Sequence, residues 1–177
     1  MSVSIPREPP DDAALSAAAA EVGAALKMRG LMLTTAESCT GGWVAQALTG
    51  IPGSSEWFER GFVTYTNTAK HEMLGVSQGE LEKFGAVSEE VVREMAEGAL
   101  KRSHAEVSLA VSGIAGPGGG TPLKPVGTVC LAWAANGAPA RSRVEHFSGS
   151  REAIRRRAVY ASLQGMLEFI ASAYPEA

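Results

Sequence analysis

The chain has 177 residues, 45% of them hydrophobic and 20% charged, a balance typical of a folded globular domain and not of a disordered chain. Its formal net charge of -3 at pH 7 argues against a broad, sequence-independent grip on nucleic acid, which needs an excess of lysine and arginine. The two cysteines, Cys39 and Cys130, are far apart in a spacing that fits neither a disulfide framework nor a zinc site.

The N-terminal region predicts neither an export signal nor a membrane span. Its alanine-rich start has no basic leader and is interrupted by Asp11, Asp12 and Glu21. No apolar run approaches the roughly 20 residues of a spanning helix. Prolines in residues 1–10 predict a flexible arm before a single domain over 11–177. We therefore expect a cytoplasmic protein with reduced thiols and with neither a membrane nor a nucleic-acid partner.

The first predicted elements alternate between helix and strand. Apolar residues recur at helical spacing from Asp12, a candidate N-cap, to Gly30, a candidate C-cap. Residues 31–36 form a short apolar run that suits a buried strand. A second helix is predicted over residues 42–48, so that residues 37–41 turn from the strand into that helix.

The rest of the chain continues this alternation and adds one hairpin. The predicted elements are a strand over 61–66, a helix over 67–74 capped by Asn67 or Thr68, a helix over 88–102, a strand over 105–113, strands over 126–134 and 141–147 joined through Asn136-Gly137, and a helix capped by Ser150. This order predicts an α/β fold with a mixed, mostly parallel sheet that includes an antiparallel hairpin and is covered by helices on both faces.

Two loops at predicted strand ends have an unusual composition. Residues 37–42 read ESCTGG and precede a helix whose first N–H groups lack intrahelical partners, while residues 113–120 read GIAGPGGG, with five glycines in eight positions. Ligands of open α/β sheets bind at the carboxyl ends of strands, and glycine-rich backbone can turn N–H groups toward an anion. A single glycine run is more often a flexible connection, but the two loops together favour a phosphate or oxyanion site.

Most named motifs are absent from the chain. No lysine follows the glycines as in a P-loop, no G-x-S-x-G elbow occurs, and GPGGGT does not fit a dinucleotide-binding fingerprint. His71, His104 and His146 stand alone, without a second ligand at metal spacing. The sequence therefore predicts no metal and no cofactor.

The residues alone leave the chemistry of the first loop open, because Ser38, Cys39 and Thr40 could either react or cap a helix. A serine nucleophile here would need a base other than histidine. Lysine can serve once burial lowers its pKa from about 10.4, and the stretch YTNTAK supplies Tyr65 and Lys70. Such a pair near a serine loop is more often structural than catalytic.

Three stretches of the chain closely resemble the CinA C-terminal-domain family, the nicotinamide mononucleotide deamidases. They are TAESCTGGWVAQALTGIPGSSEWFERGFVTYTNTAKHEMLGV, GAVSEEVV and VSGIAGPGGGTPLKPVGTV, in the family's order, and the resemblance runs from about residue 15 to about residue 170. It implies a three-layer α/β/α fold and hydrolysis of nicotinamide mononucleotide to nicotinic acid mononucleotide and ammonia without a metal, in pyridine-nucleotide recycling. Many members carry this domain behind a molybdopterin-binding-like domain, and the short arm here resembles the stand-alone form.

The resemblance also implies site residues. The family's nucleophilic serine matches Ser38, and its catalytic tyrosine and lysine match Tyr65 and Lys70. The oxyanion of an acyl transfer needs preorganised donors, and the nearest free N–H groups are predicted at Thr40, Gly41 and Gly42.

Substrate-binding residues are predicted around both loops. The predicted set is Glu37, Gly113, Ala115, Gly116, Gly118, Gly119 and Arg151. Arg151, Arg155 and Lys124 are the alternatives for a 5′-phosphate, and Glu37 could contact the ribose, orient Lys70 or cap the helix.

Two other functions remain open on the sequence. One is a nucleotide-binding or regulatory module without turnover, and the other is an amidase for another small amide. Several apolar helix faces also predict a homo-oligomer.

Overall fold

The computed structural model describes residues 8–175, so residues 1–7 of the predicted arm lie outside the described residues. Helix α1 spans Asp12–Arg29. Its N-cap is Asp11, whose side chain accepts a hydrogen bond from the N–H of Ala14 at 2.8 Å, so the predicted cap at Asp12 is wrong by one residue. Asp12 already lies in the first helical turn. Gly30 is the C-cap, as predicted, with a left-handed φ of 63°.

The remaining elements follow the predicted alternation, with one additional helix, α4. They are β1 at Leu33–Glu37, α2 at Trp43–Thr49, β2 at Phe58–Val63, α3 at Asn67–Leu74, α4 at Gln78–Phe84, α5 at Glu89–Lys101, β3 at Val107–Gly113, β4 at Thr128–Ala135, β5 at Ala138–His146 and α6 at Arg151–Ala173. A short 3-10 helix over Ser54–Glu56 precedes β2.

Two boundaries near the candidate site differ from the prediction. Strand β2 lies three residues earlier than predicted, because it pairs with β1 from Phe58 opposite Leu33 to Val63 opposite Glu37. The N-cap of α3 is Thr66, which accepts from the N–H of Ala69 at 3.1 Å, so the predicted caps are wrong. Tyr65 therefore lies in the connection between β2 and α3.

Helix α4 was not predicted. It has seven residues and buries only Leu81, so it carries almost no periodic apolar signal. Its local signal is Ser77, the N-cap, which accepts from the N–H of Glu80 at 3.3 Å in the S-x-x-E pattern of a capping box.

The five strands form one mixed sheet in the order β2-β1-β3-β4-β5. Strands β2, β1 and β3 pair in parallel, while β4 is antiparallel to both β3 and β5, so four of the five strands run in one direction. Helices α1, α2 and α6 cover one face and α3, α4 and α5 the other. The three-layer α/β/α fold, the mostly parallel sheet and the hairpin at Asn136-Gly137 are confirmed.

The two faces of the sheet differ in side-chain size. The face under α1, α2 and α6 carries large apolar strand residues, such as Leu33, Leu109 and Trp133, whereas the face under α5 carries alanine, serine and Cys130. Small strand residues let α5 approach closely, and the hydroxyl of Ser108 donates to the carbonyl of Ala96 in α5 at 2.7 Å. Within residues 8–175, no helix has the length and apolar character needed to cross a membrane.

Candidate active site

The site forms where β1 and β3, which are adjacent and parallel, end at the same edge of the sheet. Glu37 at the end of β1 pairs with Val111, two residues before β3 ends. The N–H of Ser38 donates to the carbonyl of Val111 at 3.0 Å, and the N–H of Thr64 donates to the carbonyl of Glu37 at 2.8 Å. These bonds hold Glu37 and Ser38 between the residue that follows β2 and the C-terminal part of β3.

Ser38 and Lys70 are in direct contact. Lys70 Nζ lies 2.9 Å from Ser38 Oγ, 2.9 Å from the carbonyl oxygen of Thr64 and 3.4 Å from that of Tyr65. The lysine side chain comes from the first turn of α3 and only 1% of Lys70 is exposed. This burial lowers the pKa of Lys70 to about 8.

The surroundings of Lys70 can hold either protonation state, since three oxygens can accept from the ammonium and two carbonyls from the neutral amine. In the part of the chain that the structure describes, no carboxylate pairs with its ammonium group. A neutral amine has two N–H donors and one lone pair. The carbonyls of Thr64 and Tyr65 can accept both donors, which leaves the lone pair for the hydroxyl proton of Ser38. The arrangement can therefore deprotonate a serine without histidine.

Glu37 caps helix α2, one of the three roles that the sequence left open. Its carboxylate accepts from the hydroxyl of Thr40 at 2.6 Å and from the N–H groups of Val44 and Ala45 at 2.8 and 3.0 Å. Glu37 is 1% exposed and does not line the cavity beside Ser38. Its negative charge lies at the N-terminus of α2, where the helix dipole favours it.

Residues 37–42, here called the nucleophile turn, contain the predicted oxyanion donors. Hydrogen bonds within the turn decide which of these N–H groups are free. Gly41 and Gly42 have left-handed φ values of 61° and 96°, which side chains other than glycine adopt at a cost. The N–H of Gly41 already donates to the carbonyl of Ser38 at 3.0 Å, so Gly41 is not the free donor that the sequence predicted. The N–H groups of Thr40 and Gly42 have no hydrogen-bond partner within residues 8–175, and the N–H of Cys39 contacts only its own thiol.

A cavity of about 280 Å³ opens beside Ser38 and Lys70. Its lining includes every predicted substrate-binding residue except Glu37, namely Gly113, Ala115, Gly116, Gly118, Gly119 and Arg151, as well as Tyr65. Three further lining residues were not predicted, namely Ala86, Val87 and Ser112, while Ile114 lies within the predicted loop 113–120. The first two follow α4 and belong to the GAVSEEVV stretch that carries the family resemblance, to which no site role was assigned. Residues 113–120, here called the glycine loop, form one wall of the cavity.

Of the three basic candidates for a phosphate, Arg151 lines this cavity. Its guanidinium donates to the carbonyl of Gly116 at 2.6 Å and to the hydroxyl of Tyr65 at 3.1 Å, and so joins the glycine loop to the segment before α3. Lys124 instead donates to the carbonyl of Phe84 at 2.6 Å. Arg155 contacts the back of the nucleophile turn, at the carbonyls of Cys39 and Thr40.

Cys39 also lines the cavity, but its thiol is a poor nucleophile there. Burial, with a contribution from the negative charge of Glu37, raises the pKa of Cys39 to about 12. Almost none of it is thiolate at neutral pH. The structure therefore favours Ser38 over its neighbour as the reacting side chain.

A larger cavity of about 570 Å³ lies on the other side of the nucleophile turn. It is lined by Thr40, Gly41, Trp43 and Arg155 but contains neither Ser38 nor Lys70. Size alone would select it, yet it holds no candidate nucleophile or base. No group of three or more His, Cys, Asp or Glu side chains among residues 8–175 could hold a metal ion.

The chain is similar to proteins of one known family. The family model for the CinA C-terminal domain matches residues 15–170. The nicotinamide-nucleotide amidohydrolase PncC of Enterobacter agglomerans is 57% identical over 151 residues, which are 85% of this chain and 92% of that relative. The PncC protein of Escherichia coli strain K12 is 56% identical over 153 residues, which are 86% of this chain and 93% of that relative.

A solved structure extends the agreement to three dimensions. The competence/damage inducible protein CihA of Agrobacterium tumefaciens superposes with a TM-score of 0.85 at 44% sequence identity, over 95% of this chain and 98% of that one. The family model, the relatives and the shared fold agree over most of the chain, and the protein belongs to the CinA C-terminal domain family.

Proposed function

We propose that this protein hydrolyses the carboxamide of nicotinamide mononucleotide to nicotinic acid mononucleotide and ammonia, with Ser38 as nucleophile and Lys70 as base. The observation that carries the proposal is the 2.9 Å contact between Ser38 Oγ and a buried lysine amine in an open cavity. Relatives that are 56–57% identical are named nicotinamide-nucleotide amidohydrolases. The reaction serves pyridine-nucleotide recycling.

The first step is acylation of Ser38. Neutral Lys70 takes the hydroxyl proton while Oγ attacks the amide carbon, and the carbonyls of Thr64 and Tyr65 hold the resulting ammonium. Lys70 then gives the proton to the leaving nitrogen, and ammonia departs as the tetrahedral intermediate collapses to an ester. A water molecule attacks this ester with Lys70 again as base, which releases the acid and restores Ser38.

The oxyanion of both tetrahedral intermediates needs N–H donors close to Ser38. The N–H groups of Cys39 and Thr40 are the candidates, because they follow the nucleophile directly and neither donates to another residue within the described part of the chain. Gly42 keeps a free N–H but lies farther along the turn, and Gly41 closes the turn through its bond to Ser38. We therefore assign the oxyanion hole to Cys39 and Thr40.

Arg151 and the glycine loop are suited to the nucleotide's phosphate. Apart from Lys70, whose amine is the base, Arg151 is the cationic residue among those that line the cavity. Glycines 116, 118 and 119 let the phosphate approach the backbone of the loop. The hydroxyl of Tyr65 accepts a hydrogen bond from Arg151, and the carbonyl oxygen of Tyr65 lies 3.4 Å from Lys70 Nζ. Tyr65 therefore links the phosphate side of the cavity to the base.

Ammonia release from nicotinamide mononucleotide by the purified protein tests the proposal. Lys70→Met is the control, because it keeps an unbranched side chain of similar length and removes the amine. We expect release by the wild type and at least a 10³-fold loss (order of magnitude) in the variant. Tight binding of the nucleotide without ammonia would favour a binding or regulatory module. Faster release from a different small amide would retain the chemistry but refute the substrate.

A comparison of substrates tests the phosphate assignment. Nicotinamide riboside has the same amide and ribose but no phosphate. If Arg151 binds the phosphate, Arg151→Ala should raise KM for the mononucleotide by at least about tenfold and leave KM for the riboside nearly unchanged. An equal rise for both substrates would assign Arg151 to another part of the substrate.

A further inference from the structure

Arg155 forms a bridge between helix α6 and the back of the nucleophile turn. Its Nε–H donates to the carbonyl of Cys39 at 3.1 Å and its Nη2 donates to the carbonyl of Thr40 at 3.0 Å. One planar guanidinium thus binds two consecutive peptide carbonyls. The arginine lies on the side of the turn away from the catalytic cavity and lines the larger cavity instead.

These bonds act directly on the peptide unit beside the nucleophile. The carbonyl of Cys39 belongs to the same peptide group as the N–H of Thr40, which has no partner within the described residues. A planar peptide transmits a constraint on its C=O to the direction of its N–H. A charge-assisted hydrogen bond to the carbonyl also polarises the peptide and makes its N–H a stronger donor.

The other surroundings of Arg155 keep its guanidinium beside the nucleophile turn. Its guanidinium lies over the ring of Trp43 at 5.1 Å, in the first turn of α2, and no carboxylate forms an ion pair with it within residues 8–175. Its positive charge is therefore directed at the turn without a neutralising partner. One helical turn earlier, Arg151 contacts Tyr65 and Gly116, so α6 reaches all three segments that form the site.

We propose that Arg155 is a positioning residue that orients and polarises the peptide between Cys39 and Thr40, so that the N–H of Thr40 points at the oxyanion formed on Ser38. This inference rests on the proposed acyl transfer at Ser38. It adds a residue that touches neither the substrate nor the reacting atoms. Its effect belongs to the chemical step, because the oxyanion develops in the transition state and the tetrahedral intermediate and is absent from the bound substrate.

The test compares Arg155→Ala, Arg155→Lys and Arg156→Ala. Arg156 is a matched control, because it lies 5.0 Å from the same Trp43 ring and makes ion pairs with Asp12 and Glu152 but does not bond to the turn. Two rates are measured for each protein: ammonia release from nicotinamide mononucleotide, and labelling of Ser38 by a fluorophosphonate. The second rate reports attack by the serine without the amide substrate.

Arg155→Ala is expected to lower kcat about 10- to 100-fold with KM changed by less than about twofold, and to slow labelling by a similar factor. Arg155→Lys keeps the positive charge but lacks the planar guanidinium that binds both carbonyls. Its kcat and its labelling rate should therefore lie between those of the wild type and of Arg155→Ala. The midpoint of the kcat/KM pH profile should not move, because Arg155 acts on the oxyanion peptide and not on Lys70. Arg156→Ala should match the wild type in both rates.

Three results would overturn the inference. One is an Arg155→Ala variant with unchanged kcat and labelling rate, and another is a rise in KM alone, which would assign Arg155 to substrate binding. The third is equal loss in Arg155→Lys and Arg156→Ala, which would indicate a general loss of packing around Trp43. If the wild type releases no ammonia but is labelled at Ser38, the proposed substrate fails and the labelling rates still decide the role of Arg155. A wild type with neither activity would contradict both proposals.

Discussion

The nucleophile turn and the glycine loop leave adjacent strands at the same edge of the sheet but are built in opposite ways. In the turn, Glu37, Ser38 and Thr40 are between 0% and 7% exposed, and the Glu37 carboxylate and both carbonyls after Ser38 have partners in the protein. The glycine loop is exposed over residues 117–120, and a Cβ added at Gly118 would meet nothing within 4 Å. The nucleophile turn is therefore held in place before substrate binds, whereas the glycine loop leaves space for the substrate.

This difference separates two tasks of an enzyme. Interactions that stabilise the transition state must be preorganised, whereas interactions that bind the substrate can form when it enters. Changes in the nucleophile turn should therefore lower kcat, and changes in the glycine loop should mainly raise KM.

The largest expected difference in activity is between substitutions of Ser38 and Cys39, which are neighbours in the nucleophile turn. Ser38→Ala should lower amide hydrolysis by at least about 10³-fold, because it removes the nucleophile. Cys39→Ala should leave the rate within about threefold, because burial keeps the pKa of this thiol at about 12 and its thiolate is absent at neutral pH. Ammonia release from both variants decides the assignment, and the reverse outcome would make Cys39 the nucleophile.

The pH dependence tests whether the turn uses Lys70 as its base. Below its pKa of about 8 the lysine is an ammonium, which cannot accept the proton of Ser38. We expect kcat/KM to rise with pH and level off above about 8, so that the value at pH 6 is about 100-fold below the plateau. Rates across this range in one buffer series provide the measurement. A profile that is flat between pH 6 and 9 would exclude neutral Lys70 as the base.

Removing one charge from the turn should loosen it without altering its shape. Glu37→Gln keeps the side-chain length but replaces one carboxylate oxygen with an NH2 group. That group would face the Thr40 hydroxyl or the N–H groups of Val44 and Ala45, which in the wild type donate to carboxylate oxygens. It should lower the free energy of unfolding by about 2–3 kcal/mol and kcat about tenfold, with little change in KM. Urea unfolding and steady-state kinetics measure both effects.

Glu56→Gln is the matched control for Glu37→Gln. Its carboxylate pairs with Lys27 on the surface, where both side chains are more than half exposed. We expect a change in the free energy of unfolding of less than about 0.5 kcal/mol. Equal effects at both positions would show that the cap on α2 does not stabilise the turn.

The smallest expected effects on stability and activity come from alanine substitutions at Gly113 and Gly118 of the glycine loop. A Cβ at Gly113 would lie 2.8 Å from Val129 and 3.1 Å from the sulfur of Cys39, so Gly113→Ala should lower the free energy of unfolding by about 1–2 kcal/mol. Gly118→Ala enters open space and should leave stability within about 0.5 kcal/mol. If the loop binds the phosphate, Gly118→Ala raises KM at unchanged kcat. A lower kcat at constant KM would assign the loop to the chemical step.

Local sequence signals predicted much of the fold. Ser150 was predicted as the cap of the last helix and accepts from the N–H of Ala153 at 3.2 Å, and Asn136-Gly137 joins β4 to β5 with a left-handed φ of 79° at Gly137. Strand β2 was misplaced because it lies at the sheet edge and none of its residues is buried, so pairing with β1 sets its limits more than its own pattern does.

The site was predictable where residues lie close to a motif and not where it depends on distant contacts. The pairing of Ser38 with Lys70 and the cavity wall of the glycine loop were expected, although the roles of these residues stay predictions. The position of Arg155 was not expected, because it is 115 residues from the carbonyl it binds. No local spacing encodes such a contact, and a charged helical segment reads equally well as a solvated face.

Helix α6 also has a consequence for when the site can form during synthesis. Arg151 and Arg155 follow every other segment of the site in the chain, and both bind loops made much earlier. On a ribosome, Ser38 and Lys70 both emerge well before the arginines that hold the turn and the glycine loop. We expect nascent chains arrested before residue 151 to resist fluorophosphonate labelling, so that the serine becomes reactive only when the final helix has docked.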